Sequence, residues 1–297
     1  MTEVNTIVIT GPTASGKSKA AMQLAMHCNG VIINADSLQL YNGLPILTAQ
    51  PSVEDMQKVP HKLYGILNPS EEFSVGKWLE AATFEIRKTA NPIVVGGTGL
   101  YLKALRQGLS KIPDISSEIR KKVRGFFETL TNEEVFDLLA QYDPMSASKL
   151  HYNDTQRVSR ALEVVLSTGK SLIEWQSTND MSLIKGINVQ MAILLPKLST
   201  LHQNAEMRLQ SMFENGAIEE VRGLSGNLSP TISKAIGYRE IRAYLDGEIS
   251  KEEALNLSII ATKQYIKRQR TWFRHQFPEV AMFEDVETLV AYCDNLG

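Results

Sequence analysis

The sequence predicts an α/β protein in which a parallel-sheet core is interrupted by an all-helical insertion. Three observations carry that reading: short β-branched runs that are apolar throughout, a glycine-rich loop joining the first run to a helix, and a strand-free stretch from 112 to 186. Length agrees, because 297 residues, against roughly 100 to 200 per domain, hold one large domain or two modest ones.

Ile7-Val8-Ile9 ends at Thr10-Gly11, and Lys17 to His27 follows with Ala and Leu at helical spacing, which reads as strand, loop, helix. Val31-Ile32-Ile33 gives a second strand ending at Asn34-Ala35-Asp36, and Ile93-Val94-Val95 a third ending at Gly96-Gly97. Neither alternates, as expected of parallel strands buried on both faces. From Ile112 to Gly186, cap signals separate helices over 116–130, 132–141, 143–150 and 155–167. A strand returns at Val189 to Leu195, and helices follow over 199–215, 233–245 and 251–275. The core is therefore assigned to 1–111 and 187–297, the insertion to 112–186, with 225–231 as the turn-rich linker.

Composition narrows the class. Apolar residues make up 43% and charged residues 22%, ordinary soluble usage, which excludes a disordered tail, a collagen or a disulfide miniprotein. Thirty-one Lys plus Arg against 33 Asp plus Glu give a net charge of −2, so a polyanionic partner must be met by a local basic patch. Cys28 and Cys293 lie far apart, with no Cys or His at zinc spacing. The N-terminus lacks a basic start and an apolar h-region, and no apolar run reaches about 18 residues. A reducing, cytoplasmic setting without a membrane partner is expected.

Gly11-Pro12-Thr13-Ala14-Ser15-Gly16-Lys17-Ser18 matches G-x-x-x-x-G-K-[ST] between a strand and a helix, the context that the phosphate loop requires. Glycines let amide N–H groups turn inward, the helix N-terminus adds its dipole, Lys17 supplies a point charge, and Ser18 would hold Mg²⁺. The predicted core is thus P-loop NTPase-like, and its ligand a nucleotide or another polyphosphate. Such proteins usually end another apolar strand in a metal-binding Asp. Here Ile93-Val94-Val95 ends in Gly96-Gly97-Thr98-Gly99 instead, which reads as close backbone approach by a bulky group or as tight strand-to-helix packing.

Asp36-Ser37-Leu38-Gln39 follows the second strand, at the sheet edge where ligands bind. Asp36 is either a proton acceptor or a cap of the next turn, and Ser37 and Gln39 could read a polar base edge. Along the last long helix Lys263, Lys267, Arg270 and Arg274 form one stripe, with Tyr265, Ile266, Trp272 and Phe273 opposite. The stripe suits either solvent or a nucleic-acid backbone, and Trp272 and Phe273 read as core. The insertion adds Arg120, Lys121, Lys122 and Arg124 on one helix and Arg157 with Arg160 on another, whose start is marked by Asn153 and Gln156 at capping-box spacing. Arg208 is a second phosphate clamp or a plain surface arginine.

Together these blocks resemble the bacterial tRNA dimethylallyltransferase family. The resemblance rests on the Gly11 to Ser18 loop, Asp36 to Tyr41, Val95 to Tyr101, Asn153-Asp154 with Gln156-Arg157 and Arg160 to Glu163, Ile236-Gly237-Tyr238, and Lys267-Arg268-Gln269 with Thr271 to Arg274, six blocks in order across nearly the whole chain. It implies transfer of a dimethylallyl group from dimethylallyl diphosphate to N6 of the adenosine 3′ of the anticodon in tRNA. The phosphate loop would then grip a diphosphate leaving group, with Thr13, Lys17, Ser18, Mg²⁺ and Arg208 stabilising charge, and Asp36 would take the N6 proton. The flipped base would meet Asp36, Ser37, Leu38, Gln39, Thr98, the run Gln156, Arg157, Val158, Ser159, Arg160, and the run Lys234, Ala235, Ile236, Gly237, Tyr238, Arg239. Arg120 matches another tRNA contact, and the insertion and basic last helix would grip the anticodon stem-loop. A monomer is expected.

The chain departs from the family at Gln50, where a Lys is usual, and at Lys62, where a His is usual, and it lacks the zinc finger of eukaryotic relatives. Three rivals remain: a P-loop small-molecule kinase, an isopentenyltransferase acting on free adenine nucleotides, and a non-catalytic RNA-binding module. The kinase gives no role to the basic insertion, the free-nucleotide enzyme would not need it, and the module leaves Lys17, Ser18 and Asp36 without use.

Overall fold

The computed structural model describes residues 3–177 and 180–296. Residues 1, 2, 178, 179 and 297, which fall within the predicted core segments and insertion, lie outside the described residues. The chain forms two compact units, Met1–Arg106 with Ile184–Gly297, and Gln107–Leu183.

In the first unit β1 (Val4–Thr10), α1 (Lys17–Cys28), β2 (Val31–Asn34), α2 (Val53–Lys58), β3 (His61–Lys62), α3 (Val75–Arg87), β4 (Pro92–Gly96) and α4 (Gly99–Gln107) come first. The helical unit then supplies α5 (Ser117–Thr129), α6 (Asn132–Tyr142), α7 (Pro144–Ala147), α8 (Thr155–Thr168) and α9 (Leu172–Gln176). The core resumes with β5 (Ile187–Leu194), α10 (Leu198–Glu214), α11 (Ala217–Gly223), α12 (Tyr238–Leu245), α13 (Lys251–Gln276), β6 (Ala281–Phe283) and α14 (Val286–Asp294).

The six strands form one sheet in the order β3-β2-β4-β1-β5-β6, parallel at every pairing. Parallel neighbours need crossovers, which put helices on the faces. Ile9, Ile32, Ile93, Val95 and Leu194 pack with Leu24 of α1 and Leu289 of α14 on one face. Val8, Ile33 and Val94, also buried, point by strand alternation to the other. Burial on both sides is why these runs do not alternate. Trp78 of α3 is fully buried and donates its indole N–H to Asn34 O at 2.9 Å, locking a helix to the end of β2.

The helical unit has its own core of Val123, Val135, Leu139, Val158 and Leu162. Capping boxes at Thr131 and Ser171 start α6 and α9. Buried Asp143 caps α7 by accepting Ser146 N–H at 2.9 Å, and also accepts Leu172 N–H at 3.2 Å. Four predicted details are corrected. The unit begins at Gln107, not 112, because Leu109 pairs with Asp180 in an antiparallel bridge across its neck. The helix expected over 143–150 stops at Ala147, where Lys149 and Leu150 N–H groups bond three residues back. The cap of α8 is Asp154, not Asn153, since the Asp154 side chain accepts Arg157 N–H. The expected 233–245 helix is a 3₁₀ turn, Ile232–Lys234, followed by α12, split at Gly237, whose φ of 95° breaks the helix. Among the described residues no helix is long and apolar enough to cross a membrane.

Candidate active site

At the carboxyl edge of the sheet, β1 runs into the Gly11–Ser18 loop. A Cβ at Gly11 would lie 2.2 Å from Leu194 O, so the loop can leave the strand here only without a side chain. Gly16, with φ 95°, is the N-cap of α1 and offers no side-chain cap, which leaves the first-turn amides to an anion. Lys17 Nζ donates to Pro12 O at 3.3 Å, and the Arg208 guanidinium from α10 donates to Thr13 Oγ1. At this site the buried Ser15 Oγ and Arg208 Nε have no hydrogen-bond partner among the described residues, as expected of groups awaiting a charged oxygen ligand.

The second side of the site is built at the end of β2. Asp36 N–H donates to Asn34 Oδ1 at 2.8 Å, and Asp36 Oδ1 accepts Leu38 N–H at 3.0 Å. One carboxylate oxygen thus fixes the turn, while Oδ2 has no hydrogen-bond partner among the described residues. The structure bears out the turn-cap reading of Asp36 and leaves its second oxygen available to a ligand. Thr98, after β4, accepts Ser37 N–H at 2.9 Å and donates its own N–H to Ala35 O at 3.1 Å. The glycine cluster before it is packing. A Cβ at Gly96 would sit 2.1 Å from the Ala35 carbonyl carbon, and one at Gly99 would sit 2.5 Å from the Trp272 ring.

These groups line one cavity of about 100 Å³, walled by Thr13, Lys17, Asp36, Ser37, Leu38, Thr98 and Arg208 and closed by apolar Leu47, Leu209, Met212 and Ile236. Leu47 is held by Glu220, whose carboxylate accepts the Ile46 and Leu47 N–H groups at 2.7 and 3.0 Å. Burial pushes the Lys17 amine down from 10.5 to about 8, with Arg208 adding to the fall and Asp36 opposing it. Burial likewise lowers Arg208, against Asp36. A carboxylate thus faces two desolvated cations across a small cavity, an arrangement able to hold an anion and accept a proton.

The remaining predicted positions divide. Ala235 joins the cavity. Gln39 does not: its amide donates to Thr48 O and Ala49 O at 2.9 and 2.7 Å. It lines a neighbouring cavity of about 380 Å³ with Ser18, Gln50, His61 and Tyr64. The two departures from the family pattern have plain structural uses, since Gln50 donates to Tyr41 O at 2.6 Å and Lys62 pairs β3 to β2. Lys234 and Arg239 are exposed, Tyr238 is half-buried, and Gly237 packs against Leu47. In the helical unit Arg120, Gln156 and Arg157 are exposed and Ser159 and Arg160 half-buried. Arg157 pairs with Asp154 and Arg160 with Glu163. Val158 is fully buried in that unit's core, so only its backbone is available to a partner.

The basic stripe of α13 is partly internal. Lys263 pairs with Glu206 of α10 at 2.8 Å and Arg270 donates to Pro196 O. Only Lys267 and Arg274 of the four are exposed. Phe273 is core as expected, but Trp272 is half-buried over Gly99. Sequence reading gave no site role to Leu47, Leu209, Met212, Glu220, Tyr265 or Gln269, all of which line or support the cavity. Gln269 carries a legible signal, a polar residue on the 262, 266, 273 stripe of α13 that the structure buries.

Comparison with known proteins places this arrangement. The family described as IPP transferase matches residues 39–276, and that described as Isopentenyl transferase matches residues 4–66. A tRNA dimethylallyltransferase of Zymomonas mobilis is 43% identical over 289 residues, covering 94% of this chain and 91% of that protein. One from a Caulobacter species is 42% identical over 300 residues, covering 98% and 96%. Among solved structures, a full-length tRNA isopentenylpyrophosphate transferase of Bacillus halodurans is similar with a TM-score of 0.70 at 32% identity, covering 99% of this chain and 97% of that one. A eukaryotic dimethylallyltransferase acting on tRNA reaches a TM-score of 0.81 at 28% identity, covering 98% and 77%.

Proposed function

This chain belongs to the IPP transferase family, and from that membership and the chemistry of its cavity we propose that it is a tRNA dimethylallyltransferase, joining a dimethylallyl group to N6 of the adenosine 3′-adjacent to the anticodon. The observation that carries the reading is the Asp36 carboxylate facing Lys17 and Arg208 across a cavity with an apolar wall. The cations suit the diphosphate, the wall of Leu47, Leu209 and Met212 suits a five-carbon alkyl group, and the carboxylate suits the nucleophile.

In the reaction the N6 lone pair attacks C1 of the allyl group and the C–O bond to diphosphate breaks. The proton lost from N6 passes to Asp36, and the electron pair of the broken bond leaves on diphosphate. Lys17, Arg208 and the α1 amides stabilise the charge that grows on the leaving oxygen. Thr13, bonded to Arg208, aligns that end of the substrate. Ser37 and Thr98 hold the Asp36 turn in register, and excluding water from the apolar wall keeps the allyl cation character from being quenched.

Ser18 lies in the first turn of α1, next to Lys17 and just past the Gly16 N-cap, and a hydroxyl there suits Mg²⁺ carried mainly by phosphate oxygens and waters. Ser18 would hold it, and its charge would ease departure of the diphosphate. The exposed arginines of the helical unit, Arg120 and Arg157, support a role in gripping the anticodon stem-loop, and a monomer suffices for the cavity described.

The test is incubation of purified protein with Mg²⁺, dimethylallyl diphosphate and unmodified tRNA, digestion to nucleosides, and detection of N6-dimethylallyladenosine by mass. Product on tRNA, lost in Asp36→Ala, supports both reaction and base. Product on AMP or ADP but not on tRNA moves the substrate to free nucleotides, and ATP consumption without prenylation refutes the transferase reading.

A further inference from the structure

Gln269 is a polar residue in an apolar place. It lies in the middle of α13, 8% exposed, in the buried row with Thr262, Ile266 and Phe273. A primary amide there costs free energy unless its donor and acceptor are both used. Both are. Oε1 accepts the Thr13 N–H at 2.9 Å, and Nε2 donates to Gly97 O at 3.4 Å. Because one partner is a backbone donor and the other a backbone acceptor, the amide has one orientation that satisfies both.

That single side chain therefore ties the diphosphate loop to the loop after β4, and the connection continues. Gly97 precedes Thr98, whose hydroxyl oxygen accepts the N–H of Ser37, the neighbour of Asp36. Hydrogen bonds thus run from Thr13, through Gln269 and Thr98, to the turn that carries the carboxylate. Its two ends are the group that holds the leaving diphosphate and the group that takes the proton. Gln269 itself lines the cavity between them, beside Tyr265. Close packing leaves no slack: a Cβ on Gly97 would stand 3.0 Å from Gln269 Nε2.

We propose that Gln269 is a positioning residue that sets the distance between Asp36 and the diphosphate loop, so that C–N bond formation and proton removal occur in one geometry. The proposal rests on the transferase reading above. Its effect belongs to the chemical step: the residue fixes one half of the site relative to the other, and a small misplacement of reacting groups costs rate more than affinity.

The test uses the full chain in the tRNA prenylation assay, with wild type alongside. Gln269→Met keeps the side-chain volume and removes both hydrogen bonds. Gln269→Glu keeps the acceptor for Thr13 N–H and removes the donor to Gly97 O. The expected result is a loss of kcat of about tenfold to thirtyfold in Gln269→Met, the size expected of two lost hydrogen bonds, with KM for dimethylallyl diphosphate and for tRNA within about twofold of wild type. Gln269→Glu should lose kcat while holding inorganic pyrophosphate as wild type does. Thr98→Ala combined with Gln269→Met should cost less than the product of the single losses, because both cut the same connection. The inference is overturned if folded Gln269→Met keeps kcat within about twofold, or if KM for the diphosphate rises while kcat stands. It is also overturned if the Thr98→Ala and Gln269→Met losses multiply independently. If Gln269→Met does not fold, Gln269→Glu decides by the same kcat criterion. Absence of prenylated tRNA with wild type would instead overturn the transferase reading.

Discussion

Replacing Asp36 by Asn tests base and electrostatics in one perturbation. Asparagine keeps the shape, and its Oδ1 can still accept Leu38 N–H, so the turn should survive. Two things change. The proton acceptor is gone, which by the usual worth of a positioned base lowers kcat about 10²- to 10⁴-fold. The negative charge that props up the Lys17 amine is gone too, and that amine already sits at about 8 because of burial. The sign follows directly: with Asp36 neutral, the ammonium loses its favourable neighbour, so its value falls further, and the uncharged amine binds diphosphate poorly. In wild type, kcat/KM for dimethylallyl diphosphate, which reports the free enzyme, should therefore decline above a pH of about 8. In Asp36→Asn the decline should begin at lower pH. In kcat the limb should move up, since bound diphosphate holds the proton on Lys17. The assay is initial-rate prenylation of tRNA across pH 6 to about 9.5, with product quantified as the modified nucleoside. An Asp36→Asn enzyme within about tenfold of wild-type kcat, or one whose alkaline limb coincides with wild type, refutes the reasoning.

Three further outcomes follow from other contacts. Gly99→Ala puts a methyl 2.5 Å from the Trp272 ring; displacing the indole should cost about 1–3 kcal/mol, read as a Tm several degrees lower by calorimetry. Asp143→Ala leaves the buried N–H groups of Ser146 and Leu172 without acceptors, which should destabilise the helical unit by about 2–4 kcal/mol, measured by hydrogen exchange. Burial opposes ionisation of Asp143, but the bonds to Ser146, Ser171 and Leu172 win and hold its carboxyl below 3.8. A depressed carboxyl stabilises the fold above its unfolded value and that share is lost as pH falls through the folded value, so acid should unfold the unit and Asp143→Ala should flatten the dependence. Lys17 gives a slope of the same sign in an alkaline window: the unfolded chain keeps that proton up to 10.5 and the folded one only to about 8, so global stability should rise with pH in that window, and Lys17→Met should abolish the rise.

Much of this was legible because the signals were local. The loop from Gly11 to Ser18 and the apolar runs of β1, β2, β4 and β5 announce themselves by spacing and by the lack of alternation. What stayed hidden depends on long-range pairing. At two and three residues, β3 and β6 are strands only because β2 and β5 offer them edges, and no window of sequence that short carries a period. Leu47 became a wall because Glu220, 173 residues later, holds its amide. Hidden as well were the partners of the Gln39 amide nitrogen, the carbonyls of Thr48 and Ala49, 9 and 10 residues further along the chain.

The position of the carboxylate is itself a consequence of packing. A phosphate-loop protein that activates water or a metal on its third apolar strand needs a side chain where β4 ends, yet there the Gly96 Cβ would meet Ala35 at 2.1 Å. The strand ends of β2 and β4 are too close for an Asp at 96. The same close approach lets Thr98 N–H reach Ala35 O and Thr98 Oγ1 reach Ser37 N–H, which fixes the Asp36 turn. Removing the carboxylate from one strand end and stabilising it on the next thus follow from one contact. The carboxylate that remains shares a cavity with Lys17 and Arg208 and an apolar wall, the arrangement on which the proposed transfer relies. A side chain introduced at Gly96 should for that reason abolish prenylation without creating nucleotide hydrolysis, because it would push apart the two strand ends that hold the acceptor in place.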